Sequence, residues 1–162
     1  MTSIASLTSP RGLLAHGLDH LQPFMALGTR LWVSWQFFKS GLLKIEDWES
    51  TLFLFQDEYR VPVLPPELAA WAGTAGELVF PVLVALGIFG RLGALGLSAV
   101  NVLAVVSYAH VLLAEGFEAA IGQHVLWGFM LLYLAVYGSG SLSLDRLFVG
   151  GPEKVRADRA NG

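Results

Sequence analysis

The sequence predicts an all-α polytopic membrane protein: a four-helix transmembrane bundle with a short interfacial N-terminal helix and an amphipathic helix in its first external loop. Three observations lead there. The 162 residues are 54% hydrophobic and only 14% charged, with a mean hydropathy of +0.58, where soluble proteins carry roughly 25% charged residues. Four windows have the length of about 20 mostly apolar residues that a helix needs to cross about 30 Å of hydrocarbon. Lys and Arg outside those windows fall mainly on one side. The net charge of −3, from 10 basic and 13 acidic residues, is too balanced for a nucleic-acid surface. Without cysteine the chain has no disulfide, thiolate metal site, iron–sulfur cluster or Cys nucleophile.

Taken in order, residues 1–23 read as an interfacial segment, because Leu13, Leu14, Leu18 and Leu21 share one face opposite His16, Asp19 and His20. His16 and His20 lack a third ligand, so no metal site is assigned to them. The transmembrane domain covers residues 24–147. Its first span runs from about Phe24 to Ile45, after Pro23, and carries Arg30 and Lys39. In the external loop, Trp48, Leu52, Phe55 and Tyr59 recur at helical spacing and predict a helix lying against the outer interface. The second span follows Pro65 and Pro66 to about Phe89, with Glu77 near mid-depth and Pro81 beyond it. The third runs from Arg91 to about Leu113 and contains Asn101 and His110, and the fourth covers about Ala119 to Tyr137, opening with Gln123 and His124. Residues 148–162 read as a disordered cytoplasmic tail.

Orientation follows from Arg11, Arg91, Arg146, Lys154, Arg156 and Arg159 on one side against Lys44 and Arg60 on the other, which places both termini in the cytoplasm. An ionisable group inside a span costs about 2.5 to 3.5 kcal/mol on insertion scales and therefore needs a partner, water or a function. Glu77 cannot snorkel, and a structural ion pair between Arg30 and Glu77, holding spans one and two together, is the expected arrangement if its role is packing. Lys39 can snorkel, and Trp48, Trp71 and Trp127 suit an interfacial belt. The alternative is a polar cavity in the outer half of the bundle. There Lys39, Glu77, His110, Gln123 and His124 would converge between the walls of Trp35 and Trp127 to hold a ring-shaped ligand. Glu77, Lys39, His110 and His124 are its catalytic candidates.

Several of these residues stand in a recognisable pattern: Arg30 then Gly41-x-x-Lys44, Glu77 then Leu86-Gly87 and Arg91, Glu118, and Gly138-Ser139-Gly140-x-Leu142-Ser143-Leu144-Asp145. Over roughly residues 27–147 the chain resembles the DoxX family of small four-span bacterial membrane proteins. It departs from the family pattern at Ser34, where glycine is common, and at Ser139, where proline is common. The resemblance implies a multi-pass protein of the bacterial plasma membrane, associated with respiratory-chain and sulfur-linked electron transfer or with oxidative-stress complexes. The reading it favours is a non-catalytic anchor or assembly component of a membrane redox complex. The alternatives are a quinone-binding oxidoreductase subunit, and haem or metal binding by the outer-face residues His110 and His124. Expected partners are the lipid bilayer, proteins of a redox complex and a second copy of the chain as a homodimer.

Overall fold

A computed structural model describes residues 10–149, all helix and connection. The elements are α1 (Pro10–Glu46), α2 (Trp48–Phe53) continuing into a π-helical turn (Leu54–Glu58), α3 (Pro66–Leu86), α4 (Gly90–Ser107), α5 (Ala109–Leu112), α6 (Glu118–Tyr137) and α7 (Leu144–Val149). Among the described residues, α3, α4 and α6 are long and apolar enough to cross a membrane. In α1 the apolar run is interrupted by Arg30, Lys39 and Lys44. Short connections fold the long helices back on one another, so that α1 packs on α3, α3 on α4, α4 on α6, and α6 touches α1.

The packing follows from small residues and a narrow apolar core. Val33, Phe37, Val84, Leu97, Leu131 and Leu134 form its centre. Gly96 accommodates the Phe80 ring, and a methyl group on Gly76 would lie 2.8 Å from Val100, so α3 and α4 approach closely through glycine. Outside this core, Leu31, Trp32, Val79, Leu95, Phe129 and Leu132 point outward. A face that apolar is costly in water and suited to lipid.

Three expectations about element boundaries change. The proposed interfacial helix and first span are one helix over the described residues, running through Pro23. Proline removes a single backbone bond, the residues around it are good helix formers, and Gln22 Nε2 donates to Asp19 Oδ1 at 2.8 Å across the same turn. Residues 1–9, and the expected disordered tail from residue 150 onward, lie outside the described residues. The third span stops at Ser107 instead of near Leu113. The Ser107 carbonyl accepts from the Arg60 N–H at 2.8 Å, and Tyr108 leaves helical geometry at φ −116°. The loop helix lies on α3: Phe55 is buried against Ala69 and Ala70, with Trp48, Leu52, Tyr59 and Val61 around them.

Candidate functional site

The two ends of the bundle hold different polar constructions. At the end bearing residues 138–145, Arg30 is 2% exposed and donates only to backbone carbonyls. Its Nη1 bonds Ser139 O and Leu142 O, and its Nη2 bonds Ala85 O at 2.9 Å. The same segment reaches the start of α4, where the Asp145 carboxylate accepts from the N–H groups of Phe89 at 2.9 Å and Gly90 at 2.8 Å. A carboxylate there satisfies free donors and complements the helix dipole. In return, Asp145 N–H donates to Gly87 O at 3.1 Å. Gly87 ends α3 in the left-handed region at φ 69°, and Gly138 and Gly140 bend the closing segment at φ 84° and 77°. The closing motif therefore acts as a clasp joining α1, α3, α4 and the end of α6.

At the opposite end, beside the 47–65 loop, α1 approaches α3 through Gly41. A methyl group there would lie 2.9 Å from Leu78 and 3.2 Å from the Glu77 carbonyl carbon. One turn later Lys44 Nζ reaches Glu77 Oε2 at 2.6 Å and Ser40 Oγ at 2.9 Å. This replaces the expected Arg30–Glu77 pair. Arg30 bonds α3 at Ala85, eight residues from Glu77, which is about 12 Å along the helix. Its guanidinium is occupied at the clasp, and Glu77 takes the lysine that Gly41 admits. Thr51 Oγ1 donates to Lys44 O at 3.0 Å, and Asp47 caps α2 by accepting from Ser50 N–H at 3.0 Å.

Above this pair is a cavity of about 270 Å³ whose polar lining comes from Ser40, Lys44, Tyr59, Glu77, Ser107, Tyr108 and His124. The loop closes it through Phe55, Tyr59, Val61 and Leu64, and α4 contributes Val100, Leu103 and Ala104. Tyr59 packs edge-on to Phe55 and Tyr108, with ring centroids 4.9 and 5.1 Å apart. Burial, reinforced by Tyr108, Glu77 and Glu58, holds its phenol above the ordinary tyrosine range, so it stays a neutral hydroxyl. Tyr108 Oη donates to Glu58 Oε2 at 3.2 Å, pinning the loop to the end of α4. Across the cavity, His124 is held by Asn101, whose Nδ2 donates to His124 O at 3.0 Å while its Oδ1 lies 2.8 Å from His124 Nδ1.

Of the residues singled out from sequence, Glu77 and His124 line this cavity. Trp127 lies behind it, edge-on to His124 at 4.9 Å and to Phe37 at 5.3 Å. Lys39 and Gln123 are exposed. Trp35 is 56% exposed and lines a shallow apolar groove with Ser34, Phe38 and Pro81. His110 is exposed beyond the end of α4, edge-on to Tyr108 at 5.5 Å. Among the described residues no group of three or more His, Asp or Glu side chains is placed to hold a metal ion. Sequence reasoning missed Lys44, Tyr59 and Tyr108 as site residues. The spacing Gly41-x-x-Lys44 was the available signal for the first, since a glycine one turn before a lysine marks where two backbones come close. Nothing in the sequence singled out Tyr108.

The chain is 29% identical over 125 residues to a protein of Haemophilus influenzae described only as uncharacterized, covering 73% of this chain and 79% of the relative. No solved structure matches. The DoxX family profile matches residues 25–110, from α1 across the pair Lys44–Glu77 and α4 into α5. That match takes in more than half of the sequence, and the chain belongs to the DoxX family.

Proposed function

We propose that this membrane protein binds a small ring-bearing ligand of the quinone type in the loop-end cavity, as a subunit of a redox assembly whose electron donor is another protein. The observation carrying this reading is the cavity itself. It is walled by apolar side chains, and a few polar groups converge on it: the pair Lys44–Glu77, His124 and the Tyr59 hydroxyl. Such a lining orients a mostly apolar ring through its oxygens. A volume near 270 Å³ suits one substituted ring and excludes a dinucleotide. The chemistry a quinone supplies when bound is two-electron, two-proton transfer. This chain's residues bind and orient: Tyr59 donates to a ring oxygen, His124 and Glu77 accept from a ring hydroxyl, Lys44 pairs with the Glu77 carboxylate, and Phe55 and Leu64 wall the cavity on the loop side.

The bundle counts as four-span in this reading, with residues 24–46 of α1 as the first crossing. The one-sided distribution of Lys and Arg then places both termini in the cytoplasm of a bacterial cell and the cavity toward the outer face of the plasma membrane. A second reading, the non-catalytic anchor, is favoured by α6. That helix buries only Leu131 and Leu134 within the protein and leaves Leu126, Phe129, Tyr133 and Tyr137 outward, available to a partner helix or a second copy.

The test is calorimetric titration of the full chain in lipid nanodiscs with a short-tailed benzoquinone and its reduced form. Saturable binding of either form is expected. Ala104→Phe, which fills the cavity from α4, should abolish it while the protein still accumulates. No binding of either form overturns the ligand-binding reading. Capture of a stoichiometric protein partner in mild detergent by the Ala104→Phe variant would favour the anchor.

A further inference from the structure

Asn101 fixes the chemistry that the cavity offers to a ligand. Its Nδ2 donates to the His124 backbone carbonyl, which can only accept, so the orientation of the amide is determined by the structure. Its Oδ1 then faces His124 Nδ1 at 2.8 Å, and an amide oxygen can only accept, so Nδ1 carries the proton. With the proton on Nδ1, Nε2 of the neutral imidazole is a lone-pair acceptor. No described residue donates to Nε2.

Glu77 supplies a second acceptor. Lys44 takes Oε2, and no described residue donates to Oε1. Neither Nε2 nor a carboxylate oxygen can donate, so a ligand that displaces water from them leaves each unpaired unless it brings a hydrogen. The donors on the same wall, the Tyr59 hydroxyl and the remaining Lys44 N–H, are less selective because either a carbonyl or a hydroxyl oxygen satisfies them. A quinone carries only acceptor oxygens at its ring. It could meet Tyr59 and Lys44 but would face Nε2 and Oε1 with like lone pairs. A hydroquinone brings two hydroxyls that donate as well as accept, so it can supply a hydrogen to each of the two acceptors while still accepting from Tyr59 and Lys44. Burying polar groups without partners is costly, and a site built to pair with a substrate hydroxyl rejects the analogue lacking it.

Resting on the ligand-binding reading above, we propose that the cavity selects the hydroxylated, two-electron-reduced form of its ring ligand, a hydroquinone or related dihydroxy aromatic, over the quinone. Asn101 is a positioning residue in this scheme. It sets the tautomer of His124 and touches no ligand.

The experiment titrates full-length protein in nanodiscs, anaerobically at pH 7.5, with each form of a short-tailed benzoquinone and benzoquinol pair. The reduced form is expected to bind at least about tenfold tighter, which corresponds to a shift of about 30 mV in the bound two-electron couple. His124→Phe removes one acceptor and should lower that ratio several-fold by weakening the reduced form alone. If this variant does not fold, the wild-type ratio decides. Equal or tighter binding of the oxidised form overturns the selectivity while leaving the ligand-binding function standing. Failure of both forms to bind overturns both.

Discussion

Arg30 and Lys44 are both cations on α1, fourteen residues apart, and they are used in opposite ways. Arg30 meets three backbone carbonyls from two other parts of the chain and forms no salt bridge with any described residue. Its planar fork suits that task, since several fixed acceptors can be met at once. Lys44 meets one carboxylate and one hydroxyl at the edge of a cavity, leaving an oxygen of Glu77 and a nitrogen of His124 open to whatever enters. A buried charge surrounded by chain acceptors indicates architecture. A buried pair with open positions beside a cavity indicates a site.

Breaking the Arg30 end should have the largest effect. Arg30→Met leaves the carbonyls of Ser139, Leu142 and Ala85 without their donor, and a loss of about 3 kcal/mol or more is expected. It reads out as failure to accumulate in the membrane or as a large fall in thermal midpoint in detergent. Normal accumulation would show that the two ends are not as different as drawn. At the other end, Lys44→Met strands the part-buried Glu77 carboxylate and should cost about 2 kcal/mol. The double variant Lys44→Met with Glu77→Leu should recover most of that stability, because removing both charges relieves the burial. If the double variant is as unstable as the single, the pair is architectural after all.

A smaller effect is expected from Asp145→Ala, about 1 kcal/mol, since it deletes one helix cap while Arg30 still holds the segment. Hydrogen exchange at the Phe89 and Gly90 amides reports it directly. The smallest concerns Asp47, whose bonds to Ser50 Oγ and then Ser50 N–H hold its carboxyl below the ordinary aspartate value. A depressed value means that the cap on α2 is complete above the unfolded-state pKa and is lost as pH falls through the folded one. Protection of the Ser50 amide should fall only in that acidic window.

Much of the scaffold was legible from hydropathy, because the windows for α3, α4 and α6 coincide with the helices to within a few residues except at the end of α4. Its breaks were not. Pro23 looked like a boundary because proline usually ends a helix, but the flanking residues carry α1 through it. The stop at Ser107 depends on a hydrogen bond from Arg60, 47 residues earlier, which no local pattern reveals. In the site, Glu77 and His124 stood out because each is a polar group that lipid cannot solvate. Lys44 did not, because a lysine at the end of a span resembles any interfacial lysine. The mistaken Arg30–Glu77 pair has the same origin: sequence gives the approximate depth of each residue, whereas the register between α1 and α3 is set by Gly41 lying against Glu77 and Leu78.

The clasp also imposes an order on assembly. Arg30 belongs to the first long helix, yet its acceptors at Ser139 and Leu142 are made 109 and 112 residues later. Until that segment is synthesised and folded back, the guanidinium is without most of its final partners in an otherwise apolar helix. A product truncated before residue 139 lacks two of the three carbonyls that Arg30 meets in the fold and keeps only Ala85.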